Sequence, residues 1–273
     1  IIAAVFAPLL LAPAQSLACP FIGGLPDFNC DGEAVITVVG DSVVYGVGDT
    51  INNGHGGYVL RIAKRFPNAT FYNLGTPGEE ARQEILDVED SFAGKSDPSL
   101  ATSLTSADVI ILDIGRNDWW KFGPAIATWR NLKRLRETIE TKVSNVTGHK
   151  PFVVTAQLMA ANRTGQGAWV TELNKYIAAN SKPTAPGDLR FNTVSKRFLY
   201  DRVHPSSRGY DQIAKILEQY LTVTLPKHIA IFRKDAVHDG LYDEYEEEKF
   251  GMSPFNPDTD HGGIFAGQDD DPS

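Results

Sequence analysis

Positive charge is scarce in this chain, and its distribution excludes one broad class of function. The 273 residues carry a formal net charge of −8. Segment 234–273 holds two lysines against twelve acidic residues, a local charge of −10, so the rest of the chain carries +2. A body this close to neutral has neither the basic surface that binds nucleic acid nor an acidic, repulsive one. We therefore expect no nucleic-acid partner.

Lysine and arginine are absent where a phosphate-binding loop would need them. Gly46 and Gly48 follow the first predicted strand, but no basic residue occurs between Ala34 and Leu60. A Walker-type nucleotide loop requires a lysine near the start of its helix. This part of the chain is therefore not predicted to bind a nucleotide.

The chain also lacks an uninterrupted apolar run of the length that spans a membrane. Residues 1–18 are apolar, but Pro8, Pro13 and the short length argue against a spanning helix. Because Ser16-Leu17-Ala18 is typical of a signal-peptidase site, we interpret 1–18 as the remnant of a signal peptide cut after Ala18. The alternative is a buried N-terminal helix. With a signal peptide at this position, we expect the protein to be secreted and to be either extracellular or associated with the cell surface.

Cysteine is limited to two residues, Cys19 and Cys30, in a short loop (19–33) that directly follows the predicted cleavage site. In an exported protein a disulfide between them is the default expectation. Residues 16–19 also loosely resemble a lipoprotein cleavage box, with Ser16 where that box has leucine, so lipidation of Cys19 is the alternative.

Segment 34–226 alternates short apolar runs with amphipathic stretches, which predicts one α/β domain. The predicted strands are 35–39, 70–74, 108–114, 151–156 and a weaker fifth at 189–194. The predicted helices are 58–66, 129–146, 168–180 and 210–221, the last capped by Ser206 or Ser207. This alternation predicts a parallel five-stranded sheet covered by helices on both faces, with ligands binding at the carboxyl ends of the strands.

Residues with chemical potential fall at those strand ends. Ser42, Gly75 and Asn117 follow the first three strands, while Asp201 and His204 precede the last helix. A serine hydroxyl needs a base to act as a nucleophile; His204 can supply one, and Asp201 can orient the imidazole. The backbone N–H groups of Ser42 and Gly75 and the Asn117 amide can stabilise an oxyanion. Each of these residues alone could be a cap, turn or surface residue. Their occurrence together, in this order and at the strand ends, favours a catalytic role.

Four motifs resemble the conserved blocks of the SGNH (GDSL-type) hydrolase family. Val39-Gly40-Asp41-Ser42 is similar to block I, 73–79 with Gly75 to block II, 115–118 with Asn117 to block III, and Asp201-x-x-His204-Pro205 to block V. The resemblance implies a flavodoxin-like three-layer α/β/α fold. It also implies hydrolysis of carboxylic esters by the triad Ser42, Asp201 and His204, with Ser42, Gly75 and Asn117 as the oxyanion hole and no catalytic cofactor.

The substrate is expected to be a small-molecule, lipid or acylated-carbohydrate ester. Trp119 and Trp120 directly follow the third block. They either form an apolar, substrate-binding wall beside the acyl pocket or pack beneath the loop.

The acidic tail, 227–273, is a separate module or a solvated extension. Its carboxylates repeat the spacing of an oxygen-ligand calcium loop and degenerately resemble thrombospondin type 3 repeats. The candidate ligands are Asp235, Asp239, Asp243, Glu246, Asp258, Asp260 and Asp269. Val237, Gly262 and Ala266 stand where those repeats usually have aspartate. If the tail binds structural calcium, an alternative function is a calcium-dependent surface or adhesion protein that uses the hydrolase fold as a scaffold.

Overall fold

The computed structural model of the chain describes residues 21–28, 31–52, 56–121, 123–148, 150–180 and 189–227. The predictions made for the leader 1–18, for the Cys19–Cys30 pair and for the candidate calcium ligands of the acidic tail lie outside these residues. Within the described residues, no helix is both long enough and apolar enough to cross a membrane.

A four-stranded parallel sheet forms the centre of the fold. A short antiparallel pair, β1 (Phe21–Ile22) and β2 (Leu25–Pro26), precedes it. The sheet strands are β3 (Val35–Gly40), β4 (Thr70–Gly75), β5 (Val109–Asp113) and β6 (Phe152–Thr155), in the order β4-β3-β5-β6. Every residue of β3, β5 and β6 is buried, which explains why these strands appear in the sequence as continuous apolar runs.

Seven α-helices flank the sheet in the described residues. They are α1 (Ser42–Tyr45), α2 (Gly57–Ala63), α3 (Ala81–Phe92), α4 (Ser99–Thr105), α5 (Ala125–Thr147), α6 (Gln166–Ala179) and α7 (Ser207–Gln219). One apolar cluster joins Ile36 and Val38 of β3 to α2 and α7. The other joins Val39 and Leu112 to α3, α4, α5 and α6. The predicted α/β class, with helices on both faces of a parallel sheet, is confirmed.

The fifth strand predicted at 189–194 is not formed in the described residues. Arg190 makes only an isolated parallel bridge with Gln157, and Phe191–Thr193 is a 3₁₀ turn. Because a 3₁₀ turn places residues i and i+3 on the same side, both Phe191 and Val194 reach the core. A continued strand would have pointed these two side chains to opposite faces.

The last helix agrees closely with the sequence prediction. Ser206 is its N-cap, and the Ser206 hydroxyl accepts a hydrogen bond from the Gly209 N–H at 3.4 Å. Tyr210, Ile213 and Leu217 are fully buried, as their three- and four-residue spacing predicts. A π-helical turn, Tyr220–Thr224, extends the helix.

Candidate active site

Ser42 is held at the carboxyl end of β3 by a tight strand-to-helix turn. Asp41 is the N-cap of α1, and its Oδ1 accepts a hydrogen bond from the Val43 N–H at 2.9 Å. A side chain at Gly40 would overlap Val44 and the Asp113 carbonyl, so only glycine permits this packing. Ser42 is 8% exposed. The turn therefore presents the hydroxyl from a rigid, largely buried support.

His204 links Ser42 to Asp201. The distance from His204 Nε2 to Ser42 Oγ is 2.9 Å, and the distance from Nδ1 to Asp201 Oδ2 is 2.7 Å. An ionised Asp201 accepts a hydrogen bond from the Nδ1–H group, which leaves Nε2 without a proton and able to accept a hydrogen bond from the Ser42 hydroxyl. Ser42 and His204 are 162 positions apart in the sequence, and the fold brings them together with Asp201.

Asp201 is kept ionised by its own loop. Its Oδ1 accepts hydrogen bonds from the Val203 N–H at 2.6 Å and the His204 N–H at 2.8 Å. Partial burial alone would raise the pKa of Asp201, but the hydrogen bonds from the His204 ring and from these two backbone groups lower it below its ordinary value. A bond from the Tyr200 N–H to the His204 carbonyl, 2.8 Å long, closes the loop.

The Asn117 amide and the Ser42 N–H are available as oxyanion donors. Asn117 Nδ2 donates one hydrogen bond, 2.8 Å long, to the Glu79 carbonyl. The second proton of this amide, and the backbone N–H of Ser42, have no protein acceptor among the described residues.

Gly75, predicted as an oxyanion donor, has a packing role in the structure, and its N–H already has an acceptor. Its N–H donates to Asn73 Oδ1 at 3.0 Å, so the donor is already engaged. A Cβ at Gly75 would overlap the backbone nitrogen of Tyr45, and Asn73 Nδ2 donates to the Val44 carbonyl at 2.8 Å. Gly75 therefore lets the end of β4 pack directly against α1.

Gly78 lies in a tight turn that the sequence reasoning did not single out. It has φ +89° with open space around it, and the Glu79 N–H donates to the Thr76 carbonyl at 3.1 Å. With Pro77 before it, this is a type II turn. The Gly78 N–H has no protein acceptor in the described part of the chain, and the next residue carries the carbonyl that Asn117 binds. The Pro-Gly pair was the available signal.

A buried ionic network lies behind the serine turn. Arg116 donates to Asp113 Oδ1 at 2.6 Å and to Asp41 Oδ2 at 3.3 Å, and the Tyr58 hydroxyl donates to Asp113 Oδ2 at 2.9 Å. Burial raises the pKa of Asp41, which Arg116 counteracts, and burial next to Asp113 raises that of Tyr58. Because Arg116 directly precedes Asn117, the network joins the turns that carry the two candidate oxyanion donors.

The two tryptophans have separate environments. Their rings lie 4.2 Å apart at the end of the 3₁₀ turn Asn117–Trp120. Trp119 is half-buried and faces Gly165, whereas Trp120 is 63% exposed with the Arg163 guanidinium 5.8 Å from its ring centre. Trp119 therefore packs within the loops, and Trp120 presents an open aromatic face.

Comparison with known proteins gives one family match and a group of structural matches. Residues 38–212, more than half of the chain, match the sequence model of the GDSL-like Lipase/Acylhydrolase family. No curated protein matched the sequence.

The structural matches share the fold. A structure of a lipolytic protein of the G-D-S-L family from Veillonella parvula DSM 2008 has a TM-score of 0.54 and 22% identity, covering 70% of this chain and 99% of that one. A carbohydrate acetylesterase family member from Sinorhizobium meliloti has a TM-score of 0.55 and 14% identity, covering 71% of this chain and 99% of that one. The aryl esterase of M. smegmatis has a TM-score of 0.53 and 16% identity, covering 68% of this chain and 97% of that one.

Proposed function

Since the chain belongs to the GDSL-like Lipase/Acylhydrolase family and is an esterase-type hydrolase, we propose that it cleaves carboxylic esters through Ser42, His204 and Asp201. The observation that carries this proposal is the continuous hydrogen-bonded relay from Asp201 through His204 to Ser42, with distances of 2.7 and 2.9 Å. Both links are within the reach that proton transfer requires.

In the acylation step, Ser42 Oγ attacks the ester carbonyl carbon while its proton passes to His204 Nε2. The tetrahedral intermediate then expels the alkoxide, which takes the proton from Nε2 and leaves as an alcohol. A water molecule repeats the sequence on the acyl-enzyme and releases the carboxylic acid. Asp201 remains ionised throughout and stabilises the imidazolium that forms twice in each cycle.

The negative charge of the tetrahedral intermediate is stabilised by backbone and side-chain donors. We assign this role to the Ser42 N–H and the second proton of the Asn117 amide. The Gly75 N–H takes part only if its bond to Asn73 opens. Removal of one such donor typically costs about 3 kcal/mol of transition-state stabilisation, so replacement of Asn117 by alanine should lower kcat by about two orders of magnitude.

The substrate class that we propose is a small-molecule, lipid or acylated-carbohydrate ester outside the cell. The export part of this proposal rests on the apolar segment 1–18. The exposed face of Trp120, three residues after Asn117, is an aromatic surface on which an acyl chain or a sugar ring can pack. A chain-length series of p-nitrophenyl esters, run beside acetylated xylan, would separate these substrates.

The decisive experiment compares Ser42→Ala with the wild-type protein on p-nitrophenyl acetate. Removal of a triad residue lowers kcat by roughly 10⁴- to 10⁶-fold in serine hydrolases. Ser106→Ala, which changes a serine at the end of α4 outside the site, is the matched control and should keep full turnover. Circular dichroism melting of both variants checks that the fold is retained. Wild-type turnover by Ser42→Ala would overturn the assignment of the nucleophile.

A further inference from the structure

Three carboxylates converge next to the loop that Asn117 binds. They belong to Glu79, in the loop after β4, and to Glu84 and Asp87 of α3. Residues 84 and 87 are three apart on a helix and therefore share a face. One carboxylate oxygen from each of the three side chains lies within 4.8 Å of the other two.

Hydrogen bonds compensate this carboxylate cluster only in part. Gln83 Nε2 donates to Asp87 Oδ1 at 2.9 Å, and the Glu80 N–H donates to the Glu79 carboxylate. Glu84 is only 4% exposed, and its carboxylate has neither a hydrogen bond nor an ion pair among the described residues. Glu79 is 9% exposed, and its Oε1 is buried without a protein partner. Lys121, a nearby cation, pairs with Glu80 at 2.7 Å instead. Buried acids in this condition require a proton or a cation.

The protonation behaviour of the cluster agrees with this requirement. Burial, together with the neighbouring Asp87 charge, raises the pKa of Glu79 to about 7. Burial, together with the charges of Glu79 and Asp87, raises the pKa of Glu84 to about 8. These raised pKa values favour the protonated form of both acids near neutral pH, and a bound cation would displace the protons.

We propose that Glu79, Glu84 and Asp87 form a binding site for a divalent cation with oxygen ligands, with calcium as the first candidate. Because the three oxygens lie within 4.8 Å of one another, one ion between them can contact all three at calcium–oxygen distances of roughly 2.4 Å. Carboxylates are the ligands that calcium and magnesium prefer, and water completes the coordination shell of such open sites.

The position of the site connects it to the catalytic loops. The Glu79 carbonyl accepts the hydrogen bond of the Asn117 amide, and the Asp118 carboxylate accepts the Ala81 N–H at the start of α3, 3.1 Å away. A cation on the Glu79 side chain would fix this loop and the neighbouring Gly78 N–H. The effect on turnover rests on the proposed function, whereas the binding of the cation does not.

The test is isothermal titration of the full chain with CaCl₂, MgCl₂ and MnCl₂ after dialysis against EDTA. Glu84→Gln keeps the side-chain volume and removes the charge, so we expect it to weaken binding by at least tenfold. Asp90→Asn, on the same helix but outside the cluster, is the matched control. Asp239→Asn/Asp243→Asn separates any binding by the acidic tail. In wild-type protein at pH 7, binding in buffers of different ionisation enthalpy should reveal proton release.

Loss of one binding event in Glu84→Gln, with that event retained in Asp90→Asn and in the tail variant, would support the site. Unchanged stoichiometry and affinity in Glu84→Gln would overturn it, as would the absence of uptake of all three cations by the wild type. If Glu84→Gln does not fold, Asp87→Asn provides the same comparison at a half-buried position. Ester turnover, measured separately with and without the cation, distinguishes failure of this site from failure of the proposed function.

Discussion

Replacement of Arg116 by methionine should strongly destabilise the protein. In the wild type, the Arg116 guanidinium lies between the carboxylates of Asp113 and Asp41, and all three side chains are at most 2% exposed. Methionine fills much of the volume but leaves two buried carboxylates close together without a cation. Removing one partner of a buried ion pair typically costs about 3–5 kcal/mol of stability. This is a large share of the roughly 5–15 kcal/mol that stabilises a domain.

The loss should depend on pH, and its sign follows from the protonation of Asp41. Burial already raises the pKa of Asp41, and Arg116 is the main influence that lowers it. Without Arg116 the folded-state pKa rises further above the unfolded value of about 3.9. A raised carboxyl pKa favours folding below the unfolded pKa and opposes it as pH rises through the folded pKa. The difference from the wild type should therefore be largest at pH 8 and should shrink toward pH 5.

Urea denaturation at pH 5, 6.5 and 8 measures this effect, provided that the m-values of variant and wild type agree. Arg116→Lys keeps the charge but not the forked geometry, so its loss should be intermediate. Arg116→Lys also allows the loss of stability to be measured if Arg116→Met does not fold. A loss below about 1 kcal/mol at pH 8, without pH dependence, would refute the idea that Arg116 neutralises this buried pair.

Three other substitutions have distinct expected outcomes. Asp201→Asn should lower kcat by about 10⁴-fold in steady-state assays, because an amide favours the wrong imidazole tautomer, while the melting temperature changes little at this exposed position. Gly75→Ala should destabilise the fold by about 1–3 kcal/mol in urea titrations, because its Cβ overlaps α1; wild-type stability would contradict this packing. Trp120→Ala should leave stability within about 0.5 kcal/mol but raise KM for long-chain or aryl esters relative to acetate; an equal KM change for all esters would argue against a substrate-facing ring.

The sequence allowed the position of the chemistry to be predicted because strand ends are recognisable. Apolar runs ending at Gly40 and Gly75 predicted two strands of a parallel sheet, and in the structure these two residues are paired in register. Ser42 and His204 could then be placed at the same edge by the rule for parallel sheets. Their hydrogen bond depends on loop geometry, which only the coordinates provide.

Other features could not be predicted because their local pattern is ambiguous. Helix α3 has a carboxylate, Glu84, within its buried stripe, so its apolar periodicity is interrupted. Helix α4 is rich in serine and threonine, which have low helix propensity. This helix therefore depends on tertiary packing, which the sequence pattern does not reveal. Arg116 is almost completely buried, whereas a charged residue in a loop is ordinarily assigned to the surface.

The strand order β4-β3-β5-β6 has a consequence for how specificity can change. Because β3 lies between β4 and β5, the crossover after β3 runs to one side of it, and the crossover after β4 returns past it to the other side. In parallel sheets of this kind, ligands bind in the crevice at such a reversal. Ser42, the proposed nucleophile, follows the inner strand β3, and the loops after β4 and β5 leave the sheet on either side of it. With Ser42 acting as proposed, either loop can change its shape, and with it the range of esters accepted, without disturbing the turn that holds the serine.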